Sequence, residues 1–159
     1  MPDKLLKKIT LPKGFKFKIT VHNKRSAKNH EAYINCVNIE LYDTRRTECR
    51  YHDPDCPIGS VELVRRNYSS GENSPNNVFE THSSLDKEYH NKGLGALMYA
   101  RAIQWCLANG YGVRSSCAPS AMAFNVWEGQ TLRKHFRICY KKLEYDNVYY
   151  AYRKRTVLK

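Results

Sequence analysis

At 159 residues, 42% apolar and 26% charged, the chain is long enough for one domain whose core needs neither disulfides nor a structural metal. No apolar run approaches the roughly 20 residues needed to span a bilayer, and the polar start Met1–Lys8 does not read as a signal peptide. The six scattered cysteines therefore suggest reduced thiols in a cytoplasmic protein. The net charge is +12, and 18 of the 27 Lys/Arg lie in residues 1–30 and 133–159. Such a field suits a polyanion (nucleic acid, an acidic protein face or a phosphorylated cofactor), or it serves solubility alone.

Phe15–Val21 alternates, with Phe15, Phe17, Ile19 and Val21 on one side and Lys16, Lys18 and Thr20 on the other, which predicts a half-buried strand. Ala32–Asp43 alternates again, with Asn35 the lapse. Pro57–Arg66 and Asn77–Leu85 read as a hairpin joined by the polar loop Asn67–Asn76. Leu94–Asn109 carries Leu94, Leu97, Met98, Trp105 and Cys106 at helical spacing, and Gly110 is placed to terminate that helix. Gly112–Ala118 follows as a short strand. A second helix, capped by Ser120, is expected to run to about Phe136, and Arg137–Tyr145 with Asn147–Arg155 forms a last hairpin. This order predicts a single α/β (α+β) domain over residues 1–159, with a mixed, mostly antiparallel sheet flanked by helices.

Between the strand ending near Leu85 and the helix beginning at Leu94 lies His90-Asn-Lys-Gly-Leu-Gly-Ala96. The first amides of a helix lack internal acceptors and carry partial positive charge, and glycines let a phosphate approach them closely. A tight strand–helix connection explains the same residues without a ligand. A Walker-type phosphate loop does not fit, because no Gly-Lys-Ser/Thr follows.

The segment Leu85–Met98 resembles the acyl-coenzyme A-binding segment of the GNAT superfamily of N-acyltransferases, a strand followed by Arg/Gln-x-x-Gly-x-Gly/Ala and a helix. His90 stands at the Arg/Gln position, while Lys92, Gly93 and Gly95 follow the pattern. Ser120–Trp127 resembles the family's later Asn-x-x-Ala-x-x-Leu-Tyr helix, with Ser for Asn and Trp for Tyr. The resemblance covers roughly residues 56–155. It implies acetyl-CoA as co-substrate, with the turn residues His90, Asn91, Lys92, Gly93, Leu94, Gly95 and Ala96 around its pyrophosphate. Ser83 and Leu85 on the preceding strand, and Ser120 and Trp127 downstream, complete the implied binding set.

By the same resemblance, an acceptor amine attacks the thioester directly, a strand-four amide at Ser83 polarises the carbonyl, and a bulge splays strand four from strand five. Glu80 or His82 is the candidate base; two apart on a strand, they share a face, and imidazole is the side chain type that titrates near neutrality. For the acid, Trp127 occupies the usual tyrosine position and cannot serve, leaving Tyr149, Tyr150, Tyr152 or solvent. The family's two helices after its first strand have no room in His22–Glu31, so the acceptor side is expected to be open to a macromolecule. Cys49, His52 and Cys56 are metal-ligand types at irregular spacing with no evident fourth ligand, and no metal is expected. The sequence thus reads as an N-acetyltransferase for a primary amine: a protein lysine or N-terminus, an aminoacylated RNA or a polyamine, with RNA or an acidic protein as partner. The alternative is a catalytically silent, basic nucleic-acid-binding module on the same fold.

Overall fold

A computed structural model of the chain describes residues 8–25, 32–46, 56–65, 77–117, 119–142 and 147–154. Strands β1 (Phe15–Arg25), β2 (Ala32–Asp43), β3 (Gly59–Arg65) and β4 (Val78–Leu85) come first. A 3-10 turn, Lys87–Tyr89, leads into helix α1 (Leu94–Ala108) and strand β5 (Gly112–Ser115). Helices α2 (Ala121–Glu128) and α3 (Gln130–His135) precede strands β6 (Phe136–Lys142) and β7 (Asn147–Arg153). The seven strands form one sheet in the order β1-β2-β3-β4-β5-β7-β6, in which only β4 and β5 run parallel.

The alternation in the sequence sets the register. Phe17 lies opposite Leu41, Ile19 opposite Ile39 and Val21 opposite Val37, which places one apolar row on one side of the sheet. The lapse at Asn35 has a structural cause: pairing jumps from His22↔Cys36 to Asn23↔Ile34, so Asn35 is the extra residue of a bulge and alternation resumes beyond it.

Helix α1 buries Met98, Ala102, Ile103 and Cys106 over the row formed by Val37, Ile39, Val61 and Leu63. At its end Gly110 adopts φ +78°, and the amides of Gly110 and Tyr111 reach the carbonyls of Leu107 and Cys106. The expected single helix from Ser120 to Phe136 is instead two, because Gly129 sits extended between them (φ −77°, ψ 164°). A Cβ there would lie 3.0 Å from the Asn125 carbonyl oxygen, so the break is built around a glycine. The strand predicted at Gly112–Ala118 is shorter, ending at Ser115, and the one predicted from Arg137 begins at Phe136 and is described as far as Lys142.

The helices lie on one side of the sheet. Tyr99 of α1 meets Trp127 of α2 edge-on, and Trp127 stacks on Tyr149 of β7. Because side chains alternate along a strand, Phe79, Thr81 and Ser83 face these helices while Glu80, His82 and Ser84 face away. Only residues 26–31 separate β1 from β2, far too few for two helices. Among the described residues, no helix covers the face that carries His82.

Candidate active site

The parallel pairing of β4 with β5 runs from Val78↔Gly112 to Thr81↔Ser115 and stops. Strand β4 continues to Leu85, still paired with β3 on its other side. Among the described residues, 82–85 have no strand partner on the side where β5 has ended, and apart from the Leu85 carbonyl, which accepts from His90, that edge can hydrogen-bond an extended ligand. The expected bulge in β4 is not what opens this gap: β3–β4 register is unbroken from Gly59↔Leu85 to Arg65↔Phe79. The short β5 opens it.

At the end of the gap lies the glycine turn. Asn91 has φ +60° and Gly93 φ +76°, two left-handed residues in three, which turn the chain sharply into α1. Gly93 caps α1 without any side-chain hydrogen bond, and no acidic residue occupies the helix's first turn to offset its positive end. A Cβ on Gly95 would lie 3.8 Å from Val126 Cγ2 and 4.0 Å from Leu85 Cδ2, ordinary contact distances. Packing within the protein does not demand glycine at that position.

A cavity of about 470 Å³ joins the turn to α2 and α3. Leu85, His90, Asn91, Gly93, Leu94, Gly95 and Ala96, all anticipated from sequence, line it. Val126, from the helix that resembles the family's second motif, and Met122, Asn125 and Thr131 add to the wall; the broken helix carries them inward, and nothing in the sequence pattern singled out the last three. The apolar and amide lining, with backbone N–H groups at one end, fits a phosphorylated carrier with an amide-bearing arm.

Several expected residues also have structural roles. The His90 Nε2 donates to the Leu85 carbonyl oxygen at 2.8 Å, so this ring ties the turn to the end of β4. Lys92 lies with its ammonium 5.7 Å above the Tyr89 ring and lines a neighbouring hollow with Asp43, Arg45 and Glu88. Ser120 spends its hydroxyl on the amide of Ala123 at 3.2 Å, capping α2. Trp127 is fully buried between Tyr99 and Tyr149 and presents no surface to a ligand.

Across the sheet, Glu80 is 1% exposed, with Arg114 Nη2 donating to its Oε2 at 3.1 Å and His82 Nε2 lying 3.1 Å from its Oε1. His82 itself is half-exposed on the open face. The pairing Glu80↔Arg114 on adjacent strands builds this arrangement, and Arg114 was not anticipated. The only signal for it was a cation in alternate register beside a buried acid.

On the helical side of the gap, the Ser83 and Tyr99 hydroxyls are 2.7 Å apart. Burial pushes the Tyr99 phenol up, against the smaller opposing effect of its bonds to Ser83 and Thr81, so it stays protonated. Tyr149 donates its phenol proton to Glu128, and its backbone amide donates to Ser115 Oγ at 2.9 Å. Burial, then the Glu128 carboxylate, raises the Tyr149 phenol well above its usual range. Cys49 and His52 lie outside the described residues, and no group of three metal-ligand side chains occurs among those described. No described helix is long and apolar enough to cross a membrane.

Residues 17–124 match the Acetyltransferase (GNAT) family, and the chain belongs to it. No curated protein matches the sequence. Solved structures that resemble the fold include a GNAT-family acetyltransferase from Streptococcus pneumoniae (16% identity, 74% of this chain and 66% of that one, TM-score 0.44). Another is the ribosomal-protein-S5-alanine acetyltransferase of Vibrio fischeri (16%, 73% and 60%, TM-score 0.43). A third is yncA of Salmonella typhimurium with its cofactor acetyl-CoA (9%, 73% and 62%, TM-score 0.44). The chain spans 60–66% of the length of these three.

Proposed function

We propose that the protein is an N-acetyltransferase that uses acetyl-CoA to acetylate a primary amine presented on the open face of the sheet. The observation that carries this reading is the continuity of the cavity at the glycine turn with the unpaired edge of β4, on a chain of the GNAT family. Acetyl-CoA supplies an activated acyl group as a thioester. The amides at the start of α1 bind its pyrophosphate, with His90 holding the turn in place rather than contacting phosphate directly. The free edge of β4 positions the pantetheine arm, and the Ser83 amide polarises the thioester carbonyl.

His82 is the general base. It is exposed enough to meet an incoming amine, whereas Glu80 is buried beneath it and orients the imidazole through Nε2. Arg114 bonds Glu80 Oε2 at 3.1 Å, which fixes the carboxyl group beneath the imidazole of His82. Positioning of this kind is worth about 10²–10⁴ in rate for a well-placed base. Tyr149, whose phenol is engaged with Glu128, orders the wall behind Trp127 while solvent protonates the departing thiolate. Absence of the two inserted helices favours an acceptor amine carried on a macromolecule.

The test is transfer of label from acetyl-CoA to amines in a cell extract, read by mass spectrometry, with wild type and His82→Ala compared. Labelling confined to amines and lost in the variant is expected. Labelled hydroxyls or thiols, or no wild-type label at all, would refute the reading.

A further inference from the structure

The open face of the sheet continues past Arg114 onto β7 and β6, where Tyr150 lies beside Arg114 and opposite Cys139. Tyr150 and Tyr152, two residues apart on β7, stack with ring centroids 6.3 Å apart and 14° between planes. Arg137 places its guanidinium 4.6 Å above the Tyr152 ring, and Lys141 places its ammonium 4.8 Å above Tyr150. Arg137 and Lys141 are exposed. Arg137 also borders a hollow of about 430 Å³ whose other charged residues are Arg133 and Lys154, with no acid among its lining residues. Aromatic rings, a guanidinium plane and cations thus share one exposed strip.

We propose that this β6–β7 strip is a docking surface for single-stranded RNA, whose phosphates lie against Arg137, Lys141 and Lys154 and whose bases stack on the tyrosine–arginine layer. Cations alone would suit any acidic surface. Stacked rings on a strand, overlaid by a guanidinium, suit flat bases, and every base has a face to offer. The phenol hydroxyls at the rims of Tyr150 and Tyr152 are donors and acceptors for a ribose 2′-hydroxyl, which favours RNA over DNA. The strip lies on the same sheet face as His82, two strands or about 10 Å across the sheet from Glu80. This surface would exist whether or not the acetyl-transfer reading is correct.

The experiment is fluorescence anisotropy with a labelled single-stranded RNA of about twelve nucleotides, a length within reach of such a surface. Arms with the same DNA sequence, an RNA duplex and polyglutamate are run alongside, and acetyl-CoA binding is measured separately on each variant. Wild type should bind the single-stranded RNA most tightly. Tyr150→Ala with Tyr152→Ala should weaken that binding about tenfold or more, the loss expected when base stacking is removed. Tyr150→Phe with Tyr152→Phe should retain most stacking but lose preference for RNA over DNA. Arg137→Gln with Lys141→Gln, both at exposed positions, should lower the salt slope of binding by about 1.4, two contacts' worth for a single strand. Equal affinity for DNA or polyglutamate, tighter binding of duplex, or an unchanged salt slope in the cation variant would overturn the proposal. Acetyl-CoA binding should be unchanged throughout, so failure here leaves the transferase reading standing.

Discussion

Gly95→Glu separates a ligand-binding turn from a merely structural one. A side chain at Gly95 would start in ordinary contact with Val126 and Leu85 and grow into the cavity, so the folded state has room for it. Stability should hold or rise. Replacing helical glycine removes an entropic penalty of roughly 0.5–1 kcal/mol, and an acid in the first turn of α1, which has none, adds about 0.3–1 kcal/mol. Binding should collapse. Two unit negative charges about 5 Å apart repel by about 3 kcal/mol at an effective dielectric of about 20, a factor of about 100 in affinity, before the side chain's own bulk is counted. Gly95→Ala is the control, since the family's pattern admits alanine there; it should bind acetyl-CoA within about threefold of wild type. Calorimetric titration with acetyl-CoA and thermal denaturation read the two effects separately. Gly95→Glu with unchanged affinity would refute the placement of the pyrophosphate.

His82→Ala should lower kcat by about 10²–10⁴ while leaving the KM for acetyl-CoA near wild type, and equal loss in both constants would contradict its role as base. Glu80→Gln should be costly to stability as well. It leaves Arg114 facing a neutral amide at a nearly buried site, a loss of about 3 kcal/mol or a Tm lower by about 6–12 °C for a chain of this size; a Tm within 2 °C, roughly the effect of a surface change, would show that the pair does not hold the site together. Cys36, whose thiol is pushed up to about 11 by burial and then by Glu62, should alkylate far more slowly at pH 8 than an ordinary surface thiol. The sign follows from the raised value: the thiolate is scarce until the pH approaches 11, and rapid labelling of Cys36 at pH 8 by mass spectrometry would contradict it.

The alternation of Phe15–Val21 and the helical spacing from Leu94 to Cys106 were legible because burial on one side imposes a period on the sequence. Asn35 looked like noise and is a bulge, a feature that periodicity registers only as a lapse. The break at Gly129 escaped because the residues around it suit one helix; the chain instead turns extended at that glycine, in a geometry where a Cβ would crowd the Asn125 and Val126 carbonyls. The turn at Asn91–Gly95 was legible from glycine placement. The far wall of its cavity was not, since Met122, Asn125 and Thr131 are brought there by the helix break. Arg114 and Tyr99 were missed for a related reason: each acquires its meaning from a partner on another element, Glu80 across the β4–β5 pairing and Ser83 across the helix–sheet contact. Trp127 shows the converse, a residue type that suits a ligand but is placed by folding to fill the core, while His90 both lines the cavity and braces the turn.

Whether the cavity at the turn receives acetyl-CoA is measured directly by isothermal titration of the wild-type protein with acetyl-CoA and, separately, with adenosine 3′,5′-bisphosphate and pantetheine. Acetyl-CoA should bind at one site per chain with micromolar affinity, and each fragment should bind more weakly, because the turn and the edge of β4 hold different parts of one ligand. Absence of heat with acetyl-CoA at millimolar concentration would contradict the account at its root.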